Sequence, residues 1–328
     1  MISPFENQIL DVTIDNFQEI ALDIFRYQAK SNDLYASYLD TLKKNPNSIY
    51  NLENIPFLPI SFFKTQRVCI KGCEPEAVFS SSGTTGTQTS KHFVASLNLY
   101  EKSFLNTFNR FYGSPQNYCI LALLPSYLER EGSSLVYMTA KLITESKHPL
   151  SGFYLQNTKQ LVDNLLELES AGIQSILFGV TFALLEMAKQ YHLRLKKTII
   201  VETGGMKGRG KELIRSELHS IIKQEFGVET VHSEYGMTEL LSQAYSLGNG
   251  VFQCPPWMRV YARDPYDPFT ILPYGQTGAL NIIDLANLYS CSFIQTDDLG
   301  IVFSDGTFQV NGRMDGSQVR GCNLLVIT

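Results

Sequence analysis

No stretch of this sequence stays apolar for the roughly 18 residues that a membrane-spanning helix needs. The opening Met1-Ile2-Ser3-Pro4-Phe5-Glu6 lacks the basic region and long apolar core of a secretory leader. Positive charge is also short. There are 27 Lys and Arg against 32 Asp and Glu, a formal charge of −5, which argues against nucleic acid or an anionic membrane as the main partner. Cysteines are few and scattered, at Cys69, Cys73, Cys119, Cys254, Cys291 and Cys322. Cys69 and Cys73 have a ligand-like spacing, but no second Cys/His pair follows at zinc-site spacing. With no leader expected, the reading is a cytoplasmic protein with free thiols, most of them buried as small hydrophobes. There is no internal repeat and no low-complexity tract. A Gly-x-x-x-x-Gly-Lys-Ser/Thr phosphate loop is absent too.

What is present is globular: 328 residues, 44% apolar and 18% charged, enough for one large domain or two modest ones. Residues 16 to 42 carry helical periodicity, with Asn16 and Glu19 in a capping-box arrangement and a break near Ser31-Asn32. Ile55 to Lys64 is apolar but carries Pro56 and Pro59, and reads as an extended connection packed on the core. From about residue 76 to 249, buried-strand runs alternate with helical patterns. The strands are Tyr118–Leu124, Ser175–Val180 and Thr198–Val201, with a short one at Val228–Val231. The helical patterns cover 133–145, 158–171, 181–190 and 210–225. Such alternation implies a parallel sheet covered by helices, with ligands at the carboxyl ends of its strands. After residue 250, prolines and short β-type runs imply a β-rich subdomain to about 311, followed by a hinge-like tail over 312–328. The first 75 residues read as a helical region packed on the core, in one compact large domain overall.

One stretch carries most of the chemistry. Phe79-Ser80-Ser81-Ser82-Gly83-Thr84-Thr85-Gly86-Thr87-Gln88-Thr89-Ser90-Lys91 follows an apolar run and is packed with hydroxyls. Glycine permits a close backbone approach to a ligand, successive N–H groups form an anion-binding concavity, and Lys91 adds a positive charge. That suits holding the phosphates of a nucleotide, although a plain loop has the same composition.

Further segments fall in a telling order: Gly204-Gly205, Tyr235-Gly236-Met237-Thr238-Glu239, Gly275-Gln276-Thr277-Gly278, Thr296-Asp297-Asp298 and Gly312-Arg313-Met314-Asp315. Each alone is compatible with a simple turn. Together with Ser81-Ser82-Gly83-Thr84-Thr85-Gly86 they resemble the ordered motifs of the adenylate-forming superfamily of acyl-CoA synthetases and luciferases. More narrowly, Phe57–Lys64, Pro125-Ser126-Tyr127-Leu128-Glu129-Arg130 and Asp315–Leu325 look like the acyl-protein synthetase of bacterial bioluminescence, the LuxE-type family. The resemblance covers nearly the whole chain after the first helix.

The resemblance implies an α/β fold: parallel sheets layered with helices plus a β-rich subdomain, as in the large N-terminal domain of these enzymes, with the small C-terminal domain missing. It implies ATP and Mg²⁺, a long-chain fatty acid or other apolar carboxylate activated as acyl-AMP, and a thioester carried on Cys322 for delivery to a reductase. Acyl-carrier protein or coenzyme A as acceptor, and a non-catalytic nucleotide- or acyl-binding scaffold, stay open as alternatives. It assigns Ser81, Ser82, Gly83, Thr84, Thr85 and Gly86, with Lys91, to the β- and γ-phosphates, and Thr238 to the α-phosphate. Glu239 is assigned to Mg²⁺. Gly204, Gly205 and Tyr235 fall to the adenine, Asp298 to the ribose, Met206, Gly236, Met237 and Arg313 to the nucleotide, and Ser126 and Tyr127 to the acid. Three departures stand out. The loop lysine comes late, at Lys91; Asp297 replaces a usual glycine; and the sequence stops at Thr328. Lys207, Arg209 and Lys211 are candidates to replace the charge of the absent domain's lysine.

Overall fold

The computed structural model describes residues 3–81, 88–124, 132–204 and 214–314. In chain order they form α1 (Phe17–Ser31), α2 (Asp33–Thr41), β1 (Leu58–Pro59), α3 (Phe62–Thr65), β2 (Ala77–Ser80), β3 (Lys91–Val94) and α4 (Leu97–Tyr112). Then come β4 (Cys119–Leu123), α5 (Ser134–Ser146), β5 (Gly152–Phe153), α6 (Thr158–Ala171), β6 (Ser175–Val180), α7 (Thr181–Gln190), β7 (Thr198–Thr203), α8 (Arg215–Phe226) and β8 (His232–Tyr235). The remainder is strands: β9 (Ala244–Ser246), β10 (Val251–Phe252), β11 (Met258–Arg263), β12 (Thr277–Asp284), β13 (Phe293–Val302) and β14 (Phe308–Arg313). The described residues divide into two compact units, one built from 3–77, 88–96 and 253–314, the other from 78–81 and 97–252.

The second unit is the layered α/β part. Its sheet runs β5-β4-β6-β7-β8-β9, parallel from β5 to β8 and closed by antiparallel β9. β4 and β6 are buried at every position, which is why they read as unbroken apolar runs rather than alternating ones. The helices between them start and stop where local chemistry directs. The Asn157 side chain accepts from Gln160 N at the start of α6, and Gly172 takes the left-handed conformation (φ +68°) that ends it. One expectation is corrected here and one element added. The short strand is His232–Tyr235 rather than Val228–Val231, because Ser233 and Glu234 are buried by hydrogen-bonded partners and apolar count misses them. Helix α4 is an addition, its face set by Leu99, Tyr100, Phe104, Phe108 and Tyr112.

The first unit carries the antiparallel run β11-β12-β13-β14, with β1 parallel to the start of β13 through Leu58↔Ile294. Helices α1 and α2 belong to this unit and break at Asn32, whose side chain caps α2 by accepting from Tyr35 N. Asn16 does not cap α1; its Oδ1 instead accepts from Thr13 N at 2.7 Å. Gln28 is fully buried and donates to Asn287 O and Leu288 O, both at 3.0 Å. Phe25, Tyr35 and Phe293 pack ring on ring beside it. The proline-rich connection is partly extended, as read, but turns into the short α3 after Ser61.

Candidate active site at the carboxyl edge of the parallel sheet

In the α/β unit, β7 ends in Glu202-Thr203 and runs into Gly204, which is exposed and at φ +75°, a conformation that favours glycine. Neighbouring β8 ends in Tyr235 and runs into Gly236-Met237-Thr238-Glu239, tightened by Leu240 N donating to Met237 O at 3.1 Å. Because the two strands are parallel, both segments leave the sheet at one edge. Ser80 N donates to Gly132 O at 2.7 Å, just before α5, which follows β4 in the same sheet. The structure therefore brings Ser81, Gly204 and Tyr235-Gly236-Met237-Thr238-Glu239 to the same edge.

Buried acids organise this edge. The Glu202 side chain accepts from the Thr181 hydroxyl at 2.6 Å, and that hydroxyl is equally close to Gly204 O. Arg215 Nε and His219 Nε2 each lie 4.0 Å from the other Glu202 oxygen. The Thr203 hydroxyl donates to Glu234 at 2.5 Å. Ser233 Oγ lies 3.3 Å from His219 Nε2. Beside them, burial and the neighbouring His219 push the His232 imidazole down to about 4, so it stays neutral near pH 7. Thr238 is half-buried and Glu239 is buried, 6% exposed. Tyr235 is buried against Phe252, ring centroids 5.8 Å apart.

The other unit holds three more of the expected residues. Lys91 is exposed on β3. Asp298 is buried on β13 and accepts from Arg313 Nε at 2.8 Å across the β13–β14 register. Its segment is fixed from beneath: the Thr296 hydroxyl donates to Leu280 O at 2.7 Å and accepts from Asp298 N at 3.2 Å. The buried Arg263 donates to Thr296 O and to Asn281 Oδ1, both at 3.1 Å, and to Asp264 O at 3.2 Å. His92 is packed in this unit, 2.9 Å from Ser290 Oγ and edge-on to Phe63. Ser82, Gly83, Thr84, Thr85, Gly86, Ser126, Tyr127, Gly205, Met206 and Cys322 lie outside the described residues.

Sequence reasoning placed Glu202 and Glu234 in the segments that follow the strands but gave them no role, and it passed over Arg215 and Arg263. The available signal was a charged residue closing a strand that is otherwise apolar, as Glu202 does after Ile199-Ile200-Val201.

No protein-family profile matches this chain. Among curated proteins it is similar to the long-chain-fatty-acid–luciferin-component ligase of Vibrio harveyi, 24% identical over an alignment of 330 positions that covers 92% of this chain and 84% of the relative. The ligase of the same name from Aliivibrio fischeri is 23% identical, covering 93% and 86%. Among solved structures, 2-hydroxyisobutyryl-CoA ligase in its postadenylation state with 2-HIB-AMP superposes with a TM-score of 0.70 at 14% identity, covering 92% of this chain and 69% of that one. ATP-bound MatB from Rhodopseudomonas palustris gives a TM-score of 0.56 at 17% identity over 74% of this chain, and the match spans 48%, about half, of MatB. By sequence the chain is similar to the LuxE-type fatty-acid ligases over about nine-tenths of its length, and its fold is that of the adenylate-forming ligases.

Proposed function

We propose that this protein is an ATP-dependent acid–thiol ligase that activates a long-chain fatty acid as acyl-AMP and passes the acyl group to a protein cysteine. The observation that carries the reading is the convergence of Ser81, Gly204 and Tyr235–Glu239 on one edge of the parallel sheet, where open α/β sheets bind their ligands. The similarity to fatty-acid ligases supports the substrate class.

The chemistry asks for positioning and charge shielding more than for covalent help. A carboxylate oxygen attacks the α-phosphorus of ATP; the new P–O bond forms as the bond to the bridging oxygen breaks and pyrophosphate leaves. Thr238 is proposed to hydrogen-bond the α-phosphate. The loop from Ser81 to Gly86 is proposed to take the outer phosphates, Gly204, Gly205 and Tyr235 the adenine, and Met206, Gly236 and Met237 the nucleotide more generally. Ser126 and Tyr127 are proposed to contact the acid. For Lys91 at the phosphates, Asp298 at the ribose hydroxyls and Arg313, the proposed roles rest on the motif resemblance.

Among the described residues no group of three or more His, Cys, Asp or Glu is arranged to hold a metal by itself. Mg²⁺ usually binds through one or two carboxylates together with substrate phosphates and water. Glu239, a buried carboxylate on the loop after β8, fits the protein's share of such a site. When bound, Mg²⁺ neutralises phosphate charge.

In the transfer step a thiolate attacks the acyl carbonyl, the thioester C–S bond forms, and AMP departs. Burial pushes the Cys119 thiol up to about 11 and the Cys291 thiol up to about 12. Burial, with Cys69 beside it, raises Cys73 to about 11, and burial raises Cys254 as well. A high thiol pKa suppresses the nucleophilic thiolate, which counts against these four as the carrier; Cys322 is proposed on the motif resemblance. An acyl-accepting reductase or acyl-carrier protein is the proposed downstream partner. No described helix is long and apolar enough to cross a membrane.

The test is ATP–pyrophosphate exchange with a panel of fatty acids, joined to intact-protein mass spectrometry. Wild-type protein should exchange only with a carboxylate present and gain an acyl mass. Glu239→Gln should remove Mg²⁺-dependent exchange without unfolding the protein. Exchange without self-acylation, with coenzyme A accepting the acyl group, would establish the coenzyme A ligase instead. No exchange with any acid would leave a binding scaffold.

A further inference from the structure

Arg215 opens α8, and none of the motifs above includes it. Its guanidinium carbon lies 5.0 Å from the ring centroid of Phe252, a cation–π distance. Phe252 is fully buried and also meets the Tyr235 ring, 5.8 Å away and tilted by 59°. Arg215 Nε also lies 4.0 Å from Glu202, the acid that takes the Thr181 hydroxyl beside Gly204 O. Gly250 makes room for the arginine stem: a Cβ built there would sit 3.3 Å from Arg215 Cδ. The chain of contacts is thus Gly204 segment, Glu202, Arg215, Phe252, Tyr235.

We propose that Arg215 is a positioning residue for the nucleotide, fixing the Tyr235 ring through Phe252 while Glu202 anchors it to the Gly204 turn. This inference rests on the ligase reading, in which Gly204 and Tyr235 flank the adenine. An aromatic platform is useful only if its ring is held before the ligand arrives, since ordering it on binding costs affinity. Arginine suits the task because its guanidinium lies over the Phe252 ring while its Nε stands 4.0 Å from the Glu202 carboxylate. Lysine would keep a charge near Glu202 and lose the guanidinium's contact with the ring.

The experiment measures the KM for ATP, the KM for fatty acid and kcat in pyrophosphate exchange on the full-length protein. Arg215→Ala and Phe252→Leu should each raise the ATP KM about five- to tenfold and leave the fatty-acid KM unchanged. Arg215→Lys should fall between wild type and Arg215→Ala. The double variant should be no worse than the worse single, because both break one chain of contacts. An unchanged ATP KM in Arg215→Ala, equal rises in both KM values, or multiplying effects in the double variant would overturn the proposal. If Arg215→Ala does not fold, the same comparison is made with Arg215→Lys, Phe252→Leu and their double. Wild-type protein that fails to exchange would bring down the ligase reading itself; wild-type exchange with indifferent variants would bring down only this inference.

Discussion

Gly236→Ala puts the packing of the β8 loop to a quantitative test. The backbone at Gly236 is not left-handed, so alanine meets no φ penalty there. The obstacle is space. A Cβ would collide with Glu234 Oε1 and lie 3.3 Å from Gln243 Cγ. A flexible acid could swing away, but Glu234 is 9% exposed and its other oxygen holds the Thr203 hydroxyl at 2.5 Å. Gln243, at 4% exposed, has little room to yield. Overpacking of this kind costs about 1–3 kcal/mol, and stretching a hydrogen bond to a charged group adds about 1 kcal/mol or more. Against that, replacing glycine at a compatible position stabilises by about 0.4–1 kcal/mol through the unfolded chain. The packing terms win, and a net loss of about 1–3 kcal/mol is expected by denaturant unfolding. The decisive control is Glu234→Ala, which removes the colliding group. In that background Gly236→Ala should cost clearly less, with only the 3.3 Å approach to Gln243 Cγ left to relieve. A Gly236→Ala protein as stable as wild type, or an equal loss in both backgrounds, would refute the reasoning.

Other outcomes follow from single groups. His232 is held near 4 against an ordinary 6.5, and its Nδ1 lies 3.3 Å from the Tyr112 hydroxyl. Between those values the unfolded chain binds the proton more readily than the folded one. The contribution is therefore fully present above about pH 6.5 and is lost as pH falls toward 4. For a half-buried ring this is worth about 1–2 kcal/mol after screening. His232→Gln should flatten that part of a melting-temperature profile. Arg263→Met removes three hydrogen bonds and strands Thr296 O and Asn281 Oδ1 in a buried site. It should cost about 2–4 kcal/mol in unfolding experiments, with relief of the arginine's own desolvation keeping the loss from being larger. Cys322→Ser should retain carboxylate-dependent pyrophosphate exchange and lose hydroxylamine-sensitive acylation, followed with labelled fatty acid.

The elements that were legible in the sequence are those whose burial is one-dimensional. β4, β6, α6 and α7 have apolar periods that match their surroundings, and α6 also carries a capping asparagine and a terminal glycine at its ends. β8 was displaced by a few residues because its burial is polar: Ser233 and Glu234 enter the interior on hydrogen bonds that only the fold supplies. Gln28 fell on the apolar face of α1 by spacing alone. Its reason for being there is a set of carbonyls more than 250 positions away, as the bonds to Asn287 and Leu288 show, and no local pattern encodes that. The Asn16 box failed for the opposite reason, since Thr13 N competes for the same oxygen.

The candidate site divides along the same line. Segments proposed to touch the nucleotide are rich in glycine and hydroxyls, and their order along the chain was visible at once. The groups that hold those segments were not, because a glutamate closing a strand looks in sequence like any solvated charge. At this edge Glu202 and Glu234 both accept threonine hydroxyls from neighbouring elements, so their negative charge serves the scaffold. That has a consequence for the proposed chemistry. A triphosphate approaching buried acids is repelled unless cations intervene; two like charges a few Å apart cost on the order of 4 kcal/mol at an effective dielectric of about 20. Arg215 lies beside Glu202, and the sequence between Gly204 and Ile214 adds Lys207, Arg209 and Lys211. If ATP binds here, that segment is where the compensating charge is concentrated in the sequence. Neutralising those three side chains one at a time should weaken ATP binding more at low salt than at high salt, whereas a purely structural role would leave the salt dependence unchanged.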